Sequence, residues 1–249
     1  MDWVYLSPHF DDVALSCGGL VWKQTQAGDR VQILTICAGA PAGGSLSSFA
    51  SFKHDSWETG EGAVAFRRQE DAVSCAILGA EARNFPILDC IYRQDPDSGE
   101  FMYDSEQSLW GPLQPGDGKL VEKLSGDIKR ELTARVEIVC PLALGDHVDH
   151  RLTRAAAEAL GYSLWYYADF PYVGRDNAQL EEMRQQGWLS DVMPVSTEGM
   201  AVWEEAVAAH ASQISTFWPG VPEMRLALRD YLREAGGVRL WQAPTVQST

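Results

Sequence analysis

The chain is short of positive charge. Twenty lysines and arginines stand against 35 acidic residues, a formal net charge of −15 over 249 residues, and no basic run interrupts the balance. Nucleic-acid binding and adhesion to anionic membranes both rest on Lys/Arg neutralising phosphate, so neither class suits it. A neutral or cationic substrate, or an anion held by one local arginine, suits it better. There is no uninterrupted apolar run long enough to span a bilayer. The opening MDWVYL has neither the basic nor the apolar region of a secretory signal. Both absences point to a cytoplasmic protein without membrane insertion. Cysteine is sparse: Cys17, Cys37, Cys75, Cys90 and Cys140 are scattered, with no CxxC pair. An odd, dispersed set suits reduced thiols better than a disulfide framework. No repeat, low-complexity tract or linker divides the chain, so one domain over residues 1–249 is the simplest organisation.

What is present is an alternation of short apolar runs with amphipathic stretches. Trp3–Leu6, Val31–Cys37, Val136–Cys140, Ser163–Tyr167 and Val238–Trp241 read as strands. Leu20–Ala27, Ala63–Leu78, Lys119–Thr133, Leu152–Leu160, Met200–Ser212 and Met224–Glu234 read as helices, the first two closed by Gly28 and Gly79. Alternating strand and helix predicts an α/β fold with a mostly parallel sheet covered on both faces. Two connections, 38–62 and 86–118, exceed the length of ordinary turns. Long loops in compact domains are often functional, and both carry aromatics, Trp57 in the first and Trp110 in the second among them. Those rings could stack on a sugar or simply anchor the loops.

The polar chemistry is concentrated in two places. Residues 7–19 read SPHFDDVALSCGG, directly after the first strand. In open α/β sheets ligands bind at that edge. His9 and Asp12 can converge there, with Gly18 and Gly19 letting the helix approach the sheet. A helix cap requires one aspartate, whereas two adjacent ones call for a compensating cation. A second cluster, Gly145-Asp146-His147-Val148-Asp149-His150, follows the strand at Val136–Cys140 and falls at the same edge. Only five histidines exist in the chain, and three lie in these two motifs. His9, Asp12 and His150 together make two imidazoles and one carboxylate, the donor set of an open catalytic zinc site. His54, in a polar loop, and His210, within a helix, have no such company.

These motifs resemble the PIG-L/LmbE-like family of zinc-dependent de-N-acetylases, with its (A/S)HPDD loop and later HxDH. Further segments are similar in order: Arg67-Arg68-Gln69-Glu70 with Leu78-Gly79, Tyr167–Tyr172, and the Ala206–Gln213 helix ending in HASQ. The resemblance implies a Rossmann-like three-layer sandwich. It implies one zinc ion per chain on His9, Asp12 and His150, with Asp11 as general base and His147 as the acid or oxyanion-stabilising histidine. Asp149 would orient His147, and Arg67 would touch substrate, with Arg68 a neighbouring competitor. Phe10 stands where the family has proline, and Val13 where a glutamate is frequent.

The expected activity is removal of an N-acyl group, acetyl foremost, from an amino sugar such as N-acetylglucosamine or its conjugate. The expected partner is that small molecule, with homo-oligomerisation left open. The alternatives are an amidase of a larger thiol or glycoconjugate and a non-catalytic, metal-containing sugar-binding protein. A phospho-acceptor module would be about half this length and would have no use for the second histidine cluster.

Overall fold

The structure, a computed structural model, describes residues 1–41, 43, 46–174 and 178–244. Positions 42, 44 and 45 of the expected 38–62 loop lie outside the described residues. β1 (Asp2–Ser7) leads to α1 (Asp12–Gln26) and β2 (Arg30–Thr35); α2 (Ser48–Ser56) and α3 (Ala63–Leu78) precede β3 (Glu81–Asn84). A long run of short turns then reaches α4 (Gly118–Glu131), β4 (Glu137–Pro141), α5 (Val148–Glu158) and β5 (Leu164–Tyr167). The rest is α6 (Ala178–Gln185), β6 (Leu189–Met193), α7 (Thr197–Ala208), α8 (Ala211–Phe217), α9 (Val221–Ala235) and β7 (Val238–Gln242).

Among the described residues one seven-stranded sheet runs in the order β3-β2-β1-β4-β5-β7-β6. It is parallel from β3 to β5, and β7 pairs antiparallel with both β5 and β6. The fold is therefore α/β, as the alternation predicted. The central strands are apolar throughout, with Val4, Tyr5, Leu6, Ile138, Val139 and Cys140 all buried, as expected where both faces are covered. Right-handed crossovers put α1 and α3 on one face and α4 and α5 on the other. The packing agrees: α1 touches α3 and α7, and α4 touches α5.

Several boundaries differ from the sequence expectation. α1 starts at Asp12 rather than Leu20, because its first two turns are buried between sheet and α7 and lack a polar face to mark the period. Gly18 and Gly19 admit α7 rather than the sheet. A Cβ on Gly18 would lie 2.4 Å from Trp203 Cδ1, and the Trp203 indole donates to the Ala14 carbonyl at 2.6 Å. The helix expected over Met200–Ser212 is two, α7 and α8, broken at Ala209–His210, so His210 sits at a helix junction. His54 lies in α2, not in a loop, and meets the Tyr92 hydroxyl at 2.5 Å. β3, EARN, is exposed at every position. It carries no apolar period and is a strand only because β2 supplies its hydrogen bonds.

α3 is fastened to the sheet by Asp71, whose carboxylate accepts from Thr35 Oγ1 at 3.2 Å and Asn84 Nδ2 at 3.1 Å. Burial outweighs those hydrogen bonds and raises this carboxyl to about 6. That exceeds the unfolded value of about 3.9, so Asp71 contributes stability that is present below about pH 4 and lost as pH rises through about 6. The Tm of Asp71→Asn minus that of the unaltered protein is thus expected to move in the variant's favour between pH 4 and 7. A pH-independent difference would contradict it. At the α1–α7 contact, Gly18→Ala is expected to destabilise by roughly 1–3 kcal/mol through overpacking. Gly126→Ala, in α4 with only Arg130 Nη1 at 4.0 Å, should stabilise by up to about 1 kcal/mol through helix propensity. Denaturant titration of both variants checks the contrast.

Candidate active site

β1 and β4 are neighbours from which the chain winds away in opposite directions, β1 to β2 and β4 to β5. Such a switch point leaves a crevice at the strands' carboxyl ends. The turn after β1 enters it with His9, Asp11 and Asp12, and the turn after β4 enters it with His147, Asp149 and His150. Ser7 Oγ fastens the first turn by donating to the His9 carbonyl at 2.6 Å and accepting from Val13 N–H at 3.2 Å. Asp11 occupies the N-cap position of α1 but makes no side-chain capping bond. Asp12 Oδ2 accepts the His9 N–H at 2.7 Å. Neither aspartate is spent on capping the helix.

Ring nitrogens of His9, His147 and His150 lie within 4.8 Å of one another. Asp12 bridges two of these rings, with Oδ2 3.2 Å from His9 Nδ1 and Oδ1 3.4 Å from His150 Nε2. His150 Nδ1 donates to Asp169 Oδ1 at 2.6 Å, so Nε2 is the nitrogen that offers a lone pair when the ring is neutral. That Nε2 is buried and has no hydrogen-bond partner among the described residues. Around the rings, the buried carboxylates Asp11, Asp12, Asp89, Asp149 and Asp169 outnumber the buried guanidiniums of Arg67 and Arg93. Burial opposes charging the imidazoles. Even so, hydrogen bonds to Asp12 and Asp149 carry His9 well above its usual range, and Asp12 with Asp169 pushes His150 up to about 10. A divalent cation would meet the same demand for positive charge, and His9, Asp12 and His150 offer the donors for it.

His147 behaves oppositely. Burial, reinforced by its neighbours His9 and His150, holds it well below the usual imidazole range. Its Nδ1 accepts the Asp149 N–H at 3.3 Å, so the neutral ring carries its proton on Nε2. The expected carboxylate–imidazole contact between Asp149 and His147 is replaced by this backbone contact. The Asp149 carboxylate instead takes Arg93 Nη1 on Oδ1 and, on Oδ2, the Cys90 N–H at 3.0 Å with His9 Nε2 also at 3.0 Å.

Beside the rings lies a cavity of about 170 Å³. Arg67 reaches into it from α3, buried, with Nη2 3.3 Å from Asp11 Oδ1 and Nη1 4.0 Å from Asp89 Oδ2. Its guanidinium lies over the rings of Phe10 and Trp57 at 5.4 and 4.9 Å. Arg68 turns away to the Ala38 carbonyl. Arg67 pairs with neither Glu70 nor Asp71 of its own helix. Glu70 is bonded to Ser212, and Asp71 to the sheet. Both long connections reach the cavity, with Lys53 and Trp57 from the first and Asp89, Glu106 and Trp110 from the second.

Comparisons with known proteins bear on the family and the fold. The family model of the GlcNAc-PI de-N-acetylases, PIG-L, matches residues 4–160. The chain belongs to this family. It is 31% identical over 202 residues to a 2'-N-acetylparomamine deacetylase of Niallia circulans, covering 74% of this chain and 71% of that one. The zinc-inhibited form of teicoplanin deacetylase Orf2 superposes with a TM-score of 0.87 at 26% identity over the whole of both chains. The A40926 pseudoaglycone deacetylase Dbv21 does so at 0.75 and 26%, covering 99% of this chain and 98% of that one.

Four site residues were missed by sequence reasoning. Asp169 follows β5 in a segment noted for its likeness to the family, and its strand-end position was the available signal. Asp89, Arg93 and Asp117 had none. They belong to a connection without periodicity, where Arg93 links Asp149 to Asp117 and Tyr103 donates to Asp117 at 2.7 Å. Asp169 orients a ring nitrogen of His150. With His150 serving as a metal ligand, removing such a partner would cost roughly 10- to 100-fold in metal affinity. Asp169→Asn is therefore expected to weaken zinc binding by that factor in a chelator competition, and an unchanged affinity would refute the role.

Proposed function

We propose that this N-deacetylase removes the acetyl group of an N-acetylated amino sugar or its conjugate, with one zinc ion per chain held by His9, Asp12 and His150. The observation that carries the reading is the buried His150 Nε2, unpartnered beside Asp12, with Asp11 next to it and free of capping duty. Two imidazoles and a carboxylate suit zinc and leave a position open for reaction. When bound, the metal supplies Lewis acidity that makes water a nucleophile near neutral pH and polarises the amide carbonyl.

The chain's own residues divide the remaining work. Asp11 Oδ1 faces Arg67, leaving Oδ2 as the atom that accepts the water proton as the acyl carbon is attacked. Neutral His147 donates Nε2–H to the carbonyl oxygen as charge develops there, a task for a donor fixed in advance by its backbone contact. The amine leaves with the proton that Asp11 took up. Asp149, locked by Arg93 and the Cys90 N–H, holds the His9 ring from behind. Arg67 stands between Asp11 and Asp89 at the mouth, where its fork can meet hydroxyl or other acceptor oxygens of the substrate. Trp57, Trp110, Tyr172 and Phe217 wall the cavity, and such rings accept the faces of sugars. An acidic chain is also compatible with a substrate that is neutral or, after deacetylation, cationic. The named relatives are deacetylases of 2'-N-acetylparomamine, teicoplanin and the A40926 pseudoaglycone, which supports an amino-sugar conjugate as the substrate class.

The neighbouring aspartates provide the test. Asp12→Ala should lose zinc. Asp11→Asn should retain it while kcat falls by roughly 10²–10⁴-fold, the share of a positioned acid–base group. Amine release from N-acetylated sugars is followed while zinc is titrated up from below one equivalent, because zinc inhibits the teicoplanin relative. Metal-free protein that released amine at the full rate would overturn the proposal, and Asp11→Asn losing its metal while Asp12→Ala keeps it would reverse the two roles.

A further inference from the structure

α8 closes one side of the cavity, and nothing in its own sequence caps it. His210, at its N-cap position, makes no capping side-chain bond. The cap comes from α3. Glu70, buried, accepts the Ser212 N–H on Oε1 at 2.8 Å and the Ser212 O–H on Oε2 at 2.6 Å. Arg67 and Glu70 lie three residues apart and therefore share a helix face, so α3 positions both the cavity arginine and the cavity wall. Gln213, Thr216 and Phe217 follow at i, i+3 and i+4 and line the cavity from α8.

The hydrogen-bond polarity of these residues has one consistent solution. A carboxylate can only accept, so the Ser212 hydroxyl must donate to Glu70. The Ser212 oxygen is then left as an acceptor. Gln213 must approach it through its NH₂ end, and Nε2 lies 3.0 Å from Ser212 Oγ. The other end of the amide, Oε1, has no protein partner among the described residues and is not an isolated buried atom. We infer that Glu70 is a positioning residue that, through Ser212, holds Gln213 with its amide oxygen toward the cavity, so that this wall selects a hydrogen-bond donor, hydroxyl or ammonium, on the amino sugar. The inference rests on the amino-sugar reading above and adds to it the polarity of one contact.

Glu70→Gln separates positioning from mere structure. The Ser212 N–H requires an oxygen, so the amide introduced by this substitution would turn its oxygen to that N–H and its NH₂ to Ser212 Oγ. The Ser212 hydroxyl would then donate to Gln213 Oε1, turning the Gln213 NH₂ toward the cavity. The α8 cap survives while the polarity of the wall reverses. The experiment measures equilibrium binding of methyl β-glucosaminide, the amine product, and of its 3-, 4- and 6-deoxy analogues by fluorescence of the cavity tryptophans. Zinc-loaded unaltered protein, Gln213→Ala and Glu70→Gln are compared, with zinc content and Tm recorded.

In the unaltered protein one deoxy analogue is expected to bind roughly 3- to 10-fold more weakly than the parent, the range of one hydrogen bond. If no single hydroxyl carries the effect, replacing the 2-ammonium by hydrogen should do so. That penalty is expected to vanish in both variants, with zinc content unchanged. A penalty retained in Glu70→Gln overturns the inference, even if Tm falls, because a purely structural Glu70 moves stability alone. Should Gln213→Ala fail to fold, the near-isosteric Glu70→Gln still decides. Separately, the unaltered protein is assayed for amine release from the N-acetylated glycoside. No turnover and no sugar binding sinks the functional reading and this inference with it, whereas turnover with a flat penalty sinks this inference alone.

Discussion

Burial of negative charge at one point of the sheet governs the rest of this structure. Between the ends of β1 and β4, five carboxylates surround three imidazoles, and among the described residues Arg67 and Arg93 are the buried guanidiniums that balance them. Unpaired charge in a low-dielectric site is expensive, and each carboxylate must find a cation or a set of donors. Arg93 serves Asp149 and Asp117 from within an otherwise irregular connection. Arg67 serves Asp11 and approaches Asp89 from the middle of α3. The balance left over falls on His9, Asp12 and His150, where a divalent metal would relieve it. The long connections are thereby drawn to the site by electrostatics as much as by their aromatic packing.

The same constraint gives each neighbouring group a separate character. His147 and His150 are three residues apart in one motif, yet one is driven neutral and the other toward its charged form. The difference is that His150 faces Asp12 and Asp169, whereas His147 has the Asp149 backbone and two imidazoles around it. Asp11 and Asp12 diverge in the same way. Asp12 is turned back onto the His9 N–H and the two rings, and Asp11 outward to Arg67. The HxDH motif thus works as a capped helix start whose backbone fixes a tautomer, with the carboxylate of Asp149 directed to other partners.

Much of the fold was legible along the chain. The central strands announce themselves because burial on both faces leaves no polar residue in Val4–Leu6 or Ile138–Cys140. α3 was legible to the residue, since an amphipathic period ends at Gly79, whose φ of +74° suits a left-handed cap. Elements without such contrast were hidden. The buried start of α1 has no polar face, and the exposed β3 has no apolar one. The start of α8 is capped by Glu70 from another helix, 142 positions from Ser212 and beyond any local pattern.

The sequence by itself determined which atoms were available: two histidine–aspartate motifs, each placed after an apolar strand, and the family to which they belong. Local spacing sufficed because strand, turn and helix are short-range structures and a turn carries its side chains with it. Tertiary structure alone decided how those atoms are used. The pairing of Asp149 with Arg93, of His150 with Asp169, of Arg67 with Asp11 and of Glu70 with Ser212 spans 19 to 142 positions. Which partner a buried polar group finds depends on what the fold brings within about 3 Å of it, and no periodicity along the chain encodes that distance.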